Sequence, residues 1–285
     1  MTKILLGGAT LAVLGAVSAM AADVTVRAPA PAGPTPYNFS GCYIGANGGY
    51  GLGTDVTAVN PSNGAAVNTF SAAFASGTGA AIGSFSYNAT GGLAGGQVGC
   101  NYQPGRYWVI GAETDYDWAH VSGSQTVDTN VGTVNVSPFG TRTFPPWNNF
   151  AGQSLTSLGT ARMRLGLTMA GAGLNGYADR FLVYTTAGVA YGGSTYDYSA
   201  AIPAVGALQT ISASDYRIGW TVGAGIEWAI WDNWIARAEY LHVDFGASSY
   251  YSVGSGPPAN VASVFVASYN NRYEILRFGL NYKFW

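Results

Sequence analysis

The sequence predicts an all-β protein, an eight-stranded antiparallel up-and-down transmembrane β-barrel, on three observations. Apolar and polar residues alternate strictly over eight separate segments. The polar faces of those segments carry charges of both signs at their centres. Tight turns and long polar links alternate between them, which is the pattern of a barrel with one short-turned rim and one long-looped rim.

The segments lie at about 41–53, 91–102, 106–120, 154–169, 180–192, 215–230, 233–245 and 271–284. In the third, Trp108, Ile110, Ala112, Thr114, Tyr116 and Trp118 share one face, and Val109, Gly111, Glu113, Asp115 and Asp117 the other. The sixth sets Ile218, Trp220, Val222, Ala224, Ile226 and Trp228 against Arg217, Gly219, Thr221, Gly223, Gly225 and Glu227. The eighth sets Leu276, Phe278, Leu280, Tyr282 and Phe284 against Arg277, Gly279, Asn281 and Lys283. In the fifth, Tyr184/Thr186 and Val183/Thr185 do not decide which face is which. Gln103-Pro104-Gly105 and 230–233 read as tight turns, and 170–179 as a somewhat longer one. The links 54–90, 121–153, 193–214 and 246–270 read as long loops, with aromatics such as Phe139, Trp147, Tyr196, Tyr250 and Tyr251 on them.

A soluble sandwich also alternates, with its apolar face turned inward. The charges separate the two readings. Glu113, Asp115, Asp117, Arg162, Arg164, Arg217, Glu227, Arg237, Glu239, Arg277 and Lys283 would point into a lumen and pair there, whereas a basic side chain facing lipid costs ~2–4 kcal/mol near the midplane. Glycine is dense on the same faces, as a narrow lumen crowded with large side chains requires. Tyr and Trp gather at segment ends, where interfacial girdles sit.

Composition agrees. Of 285 residues only 9% are charged, while 14% are aromatic and 41 are Gly. A net charge of −2 without any Lys/Arg cluster argues against a nucleic-acid partner. Lys3, the apolar run 4–17 and Ser18-Ala19-Met20-Ala21-Ala22 read as a secretory signal peptide over 1–21, too short to span as a helix. Residues 22–37, rich in Pro, read as an extended periplasmic lead-in, and 38–285 as the barrel.

With those faces assigned, the chain resembles the small outer-membrane β-barrel proteins of alphaproteobacteria, related in architecture to the OmpA membrane domain. The residues that carry the resemblance are the ending Arg277-Phe278-Gly279-Leu280-Asn281-Tyr282-Lys283-Phe284, Asn38-Phe39-Ser40-Gly41-Cys42-Tyr43-Ile44-Gly45, Gly95-Gly96-Gln97-Val98-Gly99, Gly219-Trp220-Thr221-Val222-Gly223-Ala224-Gly225-Ile226-Glu227 and Trp234-Ile235-Ala236-Arg237-Ala238-Glu239-Tyr240. The resemblance implies an outer-membrane location, contact with outer-membrane lipids and lipopolysaccharide, and delivery by the barrel-assembly machinery, which reads a phase-matched terminal aromatic. Phe284 holds that phase and Trp285 overhangs it, so which of the two is read stays open.

An even strand count with both ends periplasmic puts Cys42 and Cys100 at one rim. If they oppose, Ile44 faces Val98 and Ala46 faces Gly96 with matched parity, so a Cys42–Cys100 disulfide is expected in an oxidising compartment. No cofactor is expected: His120 and His242 are the only histidines, and no Cys/His group has metal-ligand spacing. His120-Val121-Ser122, with Asp117 or Glu113 as orienter, resembles the site of some outer-membrane lipid hydrolases, and a polar rim is the bland alternative. The expected role is structural, supporting the envelope and displaying surface loops. The resemblance also implies a surface binding module, for adhesion or haem or another unknown surface ligand, and a small porin with a narrow pore is the other reading; the luminal charges serve either as pore lining or as a salt-bridged plug.

Overall fold

The computed structural model describes residues 37–61, 84–129, 132–136, 140–144, 147–169, 178–202, 207–256 and 261–284. The signal-peptide and lead-in expectations for 1–36, Phe139 and Trp285 lie outside them, as do the side chains of Trp147 and Tyr251.

Eight strands form a closed barrel: β1 (Gly41–Pro61), β2 (Ser84–Tyr102), β3 (Trp108–Thr129), β6 (Trp147–Thr168), β7 (Phe181–Ile202), β8 (Ala207–Ala229), β9 (Trp234–Gly256) and β10 (Val261–Lys283). Each pairs antiparallel with its neighbour in the ring, and β1 closes on β10. A small hairpin, β4 (Gly132–Val136) with β5 (Gly140–Phe144), is a separate two-stranded sheet between β3 and β6. The fifth segment's ambiguity resolves: Leu182, Tyr184 and Thr186 point into the lumen, and Val183, Thr185 and Val189 outward.

The register fixes the cylinder. Leu52 pairs Glu274, and paired residues followed round the ring (His242, Val222, Ala187, Met163, Ala112, Cys100) return to β1 at Cys42, a stagger of ten residues. With ~3.4 Å rise per residue and ~4.8 Å between strands, that stagger over eight strands tilts them by roughly 41° and puts the backbone about 8 Å from the axis. So narrow a tube is filled by its own side chains.

The same geometry gives about 2.5 Å of height per residue and about 3 Å of descent per step from β1 through β10 and β9 onward. On that scale Tyr50, Trp118, Tyr191 and Trp220 share one level, and Tyr102, Trp108, Trp228, Trp234 and Tyr282 share another about 22 Å below, close to the ~25 Å apolar band of such barrels. Between them the outer wall is apolar, with Phe278 60% and Ile218, just above, 74% exposed.

The strands are longer than the alternation predicts. The four presumed loops are in good part strand: β7 and β8 stay paired to Ile202/Ala207, and β9 and β10 to Gly256/Val261. Tyr196 and Tyr250 are therefore strand residues, and Tyr196 is buried inside rather than displayed. The reason is solvent. Above the upper girdle the outward face meets water and carries Asp197, Ser212, Ser214 and Thr210, so the apolar phase that marks a strand in sequence disappears while β-pairing continues.

Pairing across two of the eight junctions stops early. The β2–β3 register ends at Thr90/Ser122 and the β8–β9 register at Trp220/Asp244, while the other junctions continue upward. The upper wall is thus two four-stranded sheets, β2-β1-β10-β9 and β3-β6-β7-β8. Irregularities lie near this level: Gly246 at φ +75, and register shifts between Asn270 and Arg272, between Trp118 and Val121, and between Leu155 and Ser157.

Cys42 and Cys100 are direct partners across β1 and β2 and are joined by a disulfide, with Cα atoms 4.0 Å apart. The bridge closes a segment of 58 residues of separation, worth about 4 kcal/mol in the chain-entropy model. Dithiothreitol, or the Cys42→Ser/Cys100→Ser pair, should leave a folded barrel of unchanged heat-modifiable gel mobility that unfolds at lower urea concentration. An unaltered midpoint would contradict this.

Candidate functional site: a lumen closed in layers

Four layers of side chains fill the lumen. The lowest comes from the residues before β1. Phe39 is fully buried against Val109, Leu182, Tyr184, Ala229 and Ile235, and its amide donates to Gln103 Oε1 at 2.8 Å. Tyr37 packs beside it and donates its hydroxyl to the Asp232 carbonyl at 2.8 Å, with Lys283 Nζ 4.3 Å from its ring centre. Burial at this rim, outside the membrane-spanning stretch, pushes the Tyr37 phenol up to about 12.

Above it lies an ion network. Arg162 donates to Glu113 at 2.6 Å, Asp115 at 2.7 Å and Glu239 at 2.9 Å. Arg277 bridges Asp115 at 2.7 Å, Asp117 at 3.0 Å and Glu239 at 2.8 Å. Arg237 joins Glu113 at 2.5 Å to Glu239 at 2.8 Å, and Arg164 reaches Glu227 at 2.5 Å. The Tyr43 hydroxyl accepts from Arg164 and donates to Glu113, each at 2.5 Å. Spacing of two along β3 places Glu113, Asp115 and Asp117 on one face, and register sets Glu113 opposite Arg162 and Glu239 opposite Arg277. These residues come from β1, β3, β6, β8, β9 and β10, so the network ties six strands across the lumen. Glycine makes the room: a Cβ on Gly99 would stand 2.5 Å from the Tyr43 hydroxyl, and one on Gly225 as close to Tyr184.

Two expected members are absent from the network. Arg217 faces inward higher up, where it pairs with Asp215 at 3.2 Å and donates to the Ala247 carbonyl at 2.9 Å and to Ser248. On the tilted β8 it stands well above Glu227, past the level of the carboxylates, and closes the β8–β9 parting instead. Lys283 lies too low, and donates to the Asn38 carbonyl at 2.5 Å.

Over the charges sits an apolar layer of Leu93, Val121, Leu155, Leu158, Leu241, Val243, Phe245 and Ile275. Over that, Gln153 donates to Asn271 at 2.8 Å and Tyr273 at 2.7 Å, Tyr196 donates to Asn271 at 2.7 Å, and Asn271 donates to Ser248 at 2.8 Å. Sequence reading misses this polar lattice and the Phe39 plug; a buried amide inside a presumed loop carries no periodic signal.

The hydrolase constellation is not assembled. His120 and Ser122 are exposed on the outer wall, while Glu113 and Asp117 point into the lumen on its opposite face, engaged with arginines. A wall separates the would-be orienters from the would-be base.

A closed eight-stranded barrel with outward apolar girdles and ion-paired lumen defines a bacterial outer-membrane β-barrel. Residues 9–284 match the family model described as outer membrane protein beta-barrel domain, and the chain belongs to that family. It is 32% identical over 282 residues to the 31 kDa outer-membrane immunogenic proteins of Brucella melitensis and Brucella suis, covering 97% of this chain and 98% of theirs. Among solved structures it matches Neisserial surface protein A at 14% identity, over 86% of this chain and 98% of that one, with a TM-score of 0.32. OprG of Pseudomonas aeruginosa matches at 13%, over 87% and 98%, with a TM-score of 0.37. The protein is located in the outer membrane.

Arg277→Ala should leave the buried Asp117 without an arginine, remove one of the arginines that hold Asp115 and Glu239, and cost about 3–5 kcal/mol, whereas Arg217→Ala, partly exposed and outside the network, should cost under ~1 kcal/mol. Urea unfolding of the refolded proteins in lipid vesicles, followed by Trp fluorescence, distinguishes them.

Proposed function

We propose that the protein is a non-enzymatic, non-conducting structural barrel that supports the envelope and carries β-sheets beyond the outer leaflet. The observation that carries this reading is the filled lumen: a plug at Phe39, an ion network, an apolar layer and a polar lattice follow one another along the axis. That succession speaks against a narrow pore. That its relatives are outer-membrane immunogenic proteins fits surface exposure. A second reading, a surface binding module for an unidentified ligand, draws on the two upper sheets, whose strands continue more than about 25 Å past the upper girdle at ~2.5 Å per residue. The proposed partners are outer-membrane lipids and the barrel-assembly machinery.

In planar bilayers the purified protein should give no stepwise current in concentrated KCl; reproducible ohmic steps would overturn the sealed-lumen reading. The Phe284 amide pairs with the Cys42 carbonyl at 2.9 Å and its ring faces outward, so Phe284 is the proposed assembly aromatic. Deleting Trp285 should leave the yield of heat-modifiable protein in outer-membrane fractions nearly unchanged, and loss of folded protein would reassign the signal.

A further inference from the structure

The outer wall carries one ionised patch at the level of the upper girdle. Asp244 and His242 on β9 and Arg272 and Glu274 on β10 all face outward. Among the described residues the remaining outward wall up to that girdle is free of charged side chains, and His120 stands three strands from β10. Register places His242 and Glu274 near the height of Trp220, with Arg272 about 5 Å above Glu274 at ~2.5 Å per residue. This is where the head groups of the outer leaflet begin.

The bonding within the patch is one-sided. Glu274 accepts from the Tyr240 hydroxyl at 2.5 Å through one oxygen and meets His242 Nδ1 at 2.7 Å through the other. Asp244 takes the Gly246 amide at 2.7 Å on one oxygen and Arg272 Nε at 3.0 Å on the other. Both carboxylates are thus occupied on both oxygens, with the Asp244 side chain 12% and the Glu274 side chain 43% exposed. Arg272, whose side chain is 64% exposed, is tied through Nε and leaves Nη1 and Nη2 for a ligand, while His242, 26% exposed, is tied through Nδ1. A guanidinium fixed at Nε is a preset fork for two phosphate oxygens. Beside it, Trp220 lies 5.1 Å from the His242 ring and is half exposed, as is Tyr240.

We propose that this patch binds a phosphorylated glycolipid of the outer leaflet, with Arg272 clasping a sugar phosphate, His242 in its doubly protonated form as second donor, and Trp220 seating the sugar above the acyl chains. The aromatic faces next to the fork favour a phosphorylated sugar over a simple glycerophospholipid. The proposal gives a site to the lipid partners named above and does not depend on the lumen, so a conducting barrel would leave it standing.

The test uses the refolded full-length protein in detergent micelles, titrated with bisphosphorylated lipid A, dephosphorylated lipid A and phosphatidylglycerol, with binding read by native mass spectrometry. Bisphosphorylated lipid A should bind at least about tenfold more tightly than the other two. Arg272→Ala should lose about tenfold and His242→Ala less, while Arg106→Ala on the periplasmic turn should match wild type. Heat-modifiable mobility confirms that each variant is folded. Wild-type binding by Arg272→Ala overturns the proposal, as does equal binding of dephosphorylated lipid A. Equal binding of phosphatidylglycerol overturns the choice of a glycolipid.

Discussion

In hydrocarbon no backbone amide can be left to water, and closure of β1 on β10 is the constraint from which the rest follows. Closing eight strands with a stagger of ten fixes the radius. The radius then dictates what each inward position holds: glycine where a tyrosine ring or guanidinium crosses from the far wall, and a long side chain where nothing else fills the axis. Gly99 against Tyr43 and Gly225 against Tyr184 are instances of that exchange.

The ion network answers a second demand of the same geometry. Charges on inward faces avoid lipid, yet within a closed tube they also lose water, and each must find opposite charge inside. Arg162 and Arg277 do so by contacting three carboxylates each, on strands that are not all neighbours. The contacts span the lumen and hold its cross-section, whereas the backbone ladder holds only adjacent strands. Apolar layers below and above keep the network dry.

Much of this is legible in the sequence wherever two different solvents face one strand. Leu276–Phe284 against Arg277–Lys283 announces lipid outside and a polar lumen inside, and the Cys42–Cys100 pairing follows from parity. Legibility fails where both faces become polar. The upper strands read as loops, and Asn271, Gln153 and Tyr196 give no signal because burial by partner strands leaves no mark on local pattern. Arg217 and Lys283 share the parity of the network but not its height, and parity alone carries no height. Phe39 lies before the first alternating segment, so its role as a plug depends on tertiary contact.

The two partings in the upper wall have a consequence for damage from outside the cell. The backbone hoop is complete only at the depth of the bilayer, and above it the two sheets meet through side chains such as Arg217, Tyr196 and Gln153. A protease outside the cell that nicks the chain at an outward tip cuts a connection that bears none of the hoop's closure. The severed pieces remain clamped by the ladder below, and the membrane-spanning hoop stays whole while its outermost ornament is trimmed.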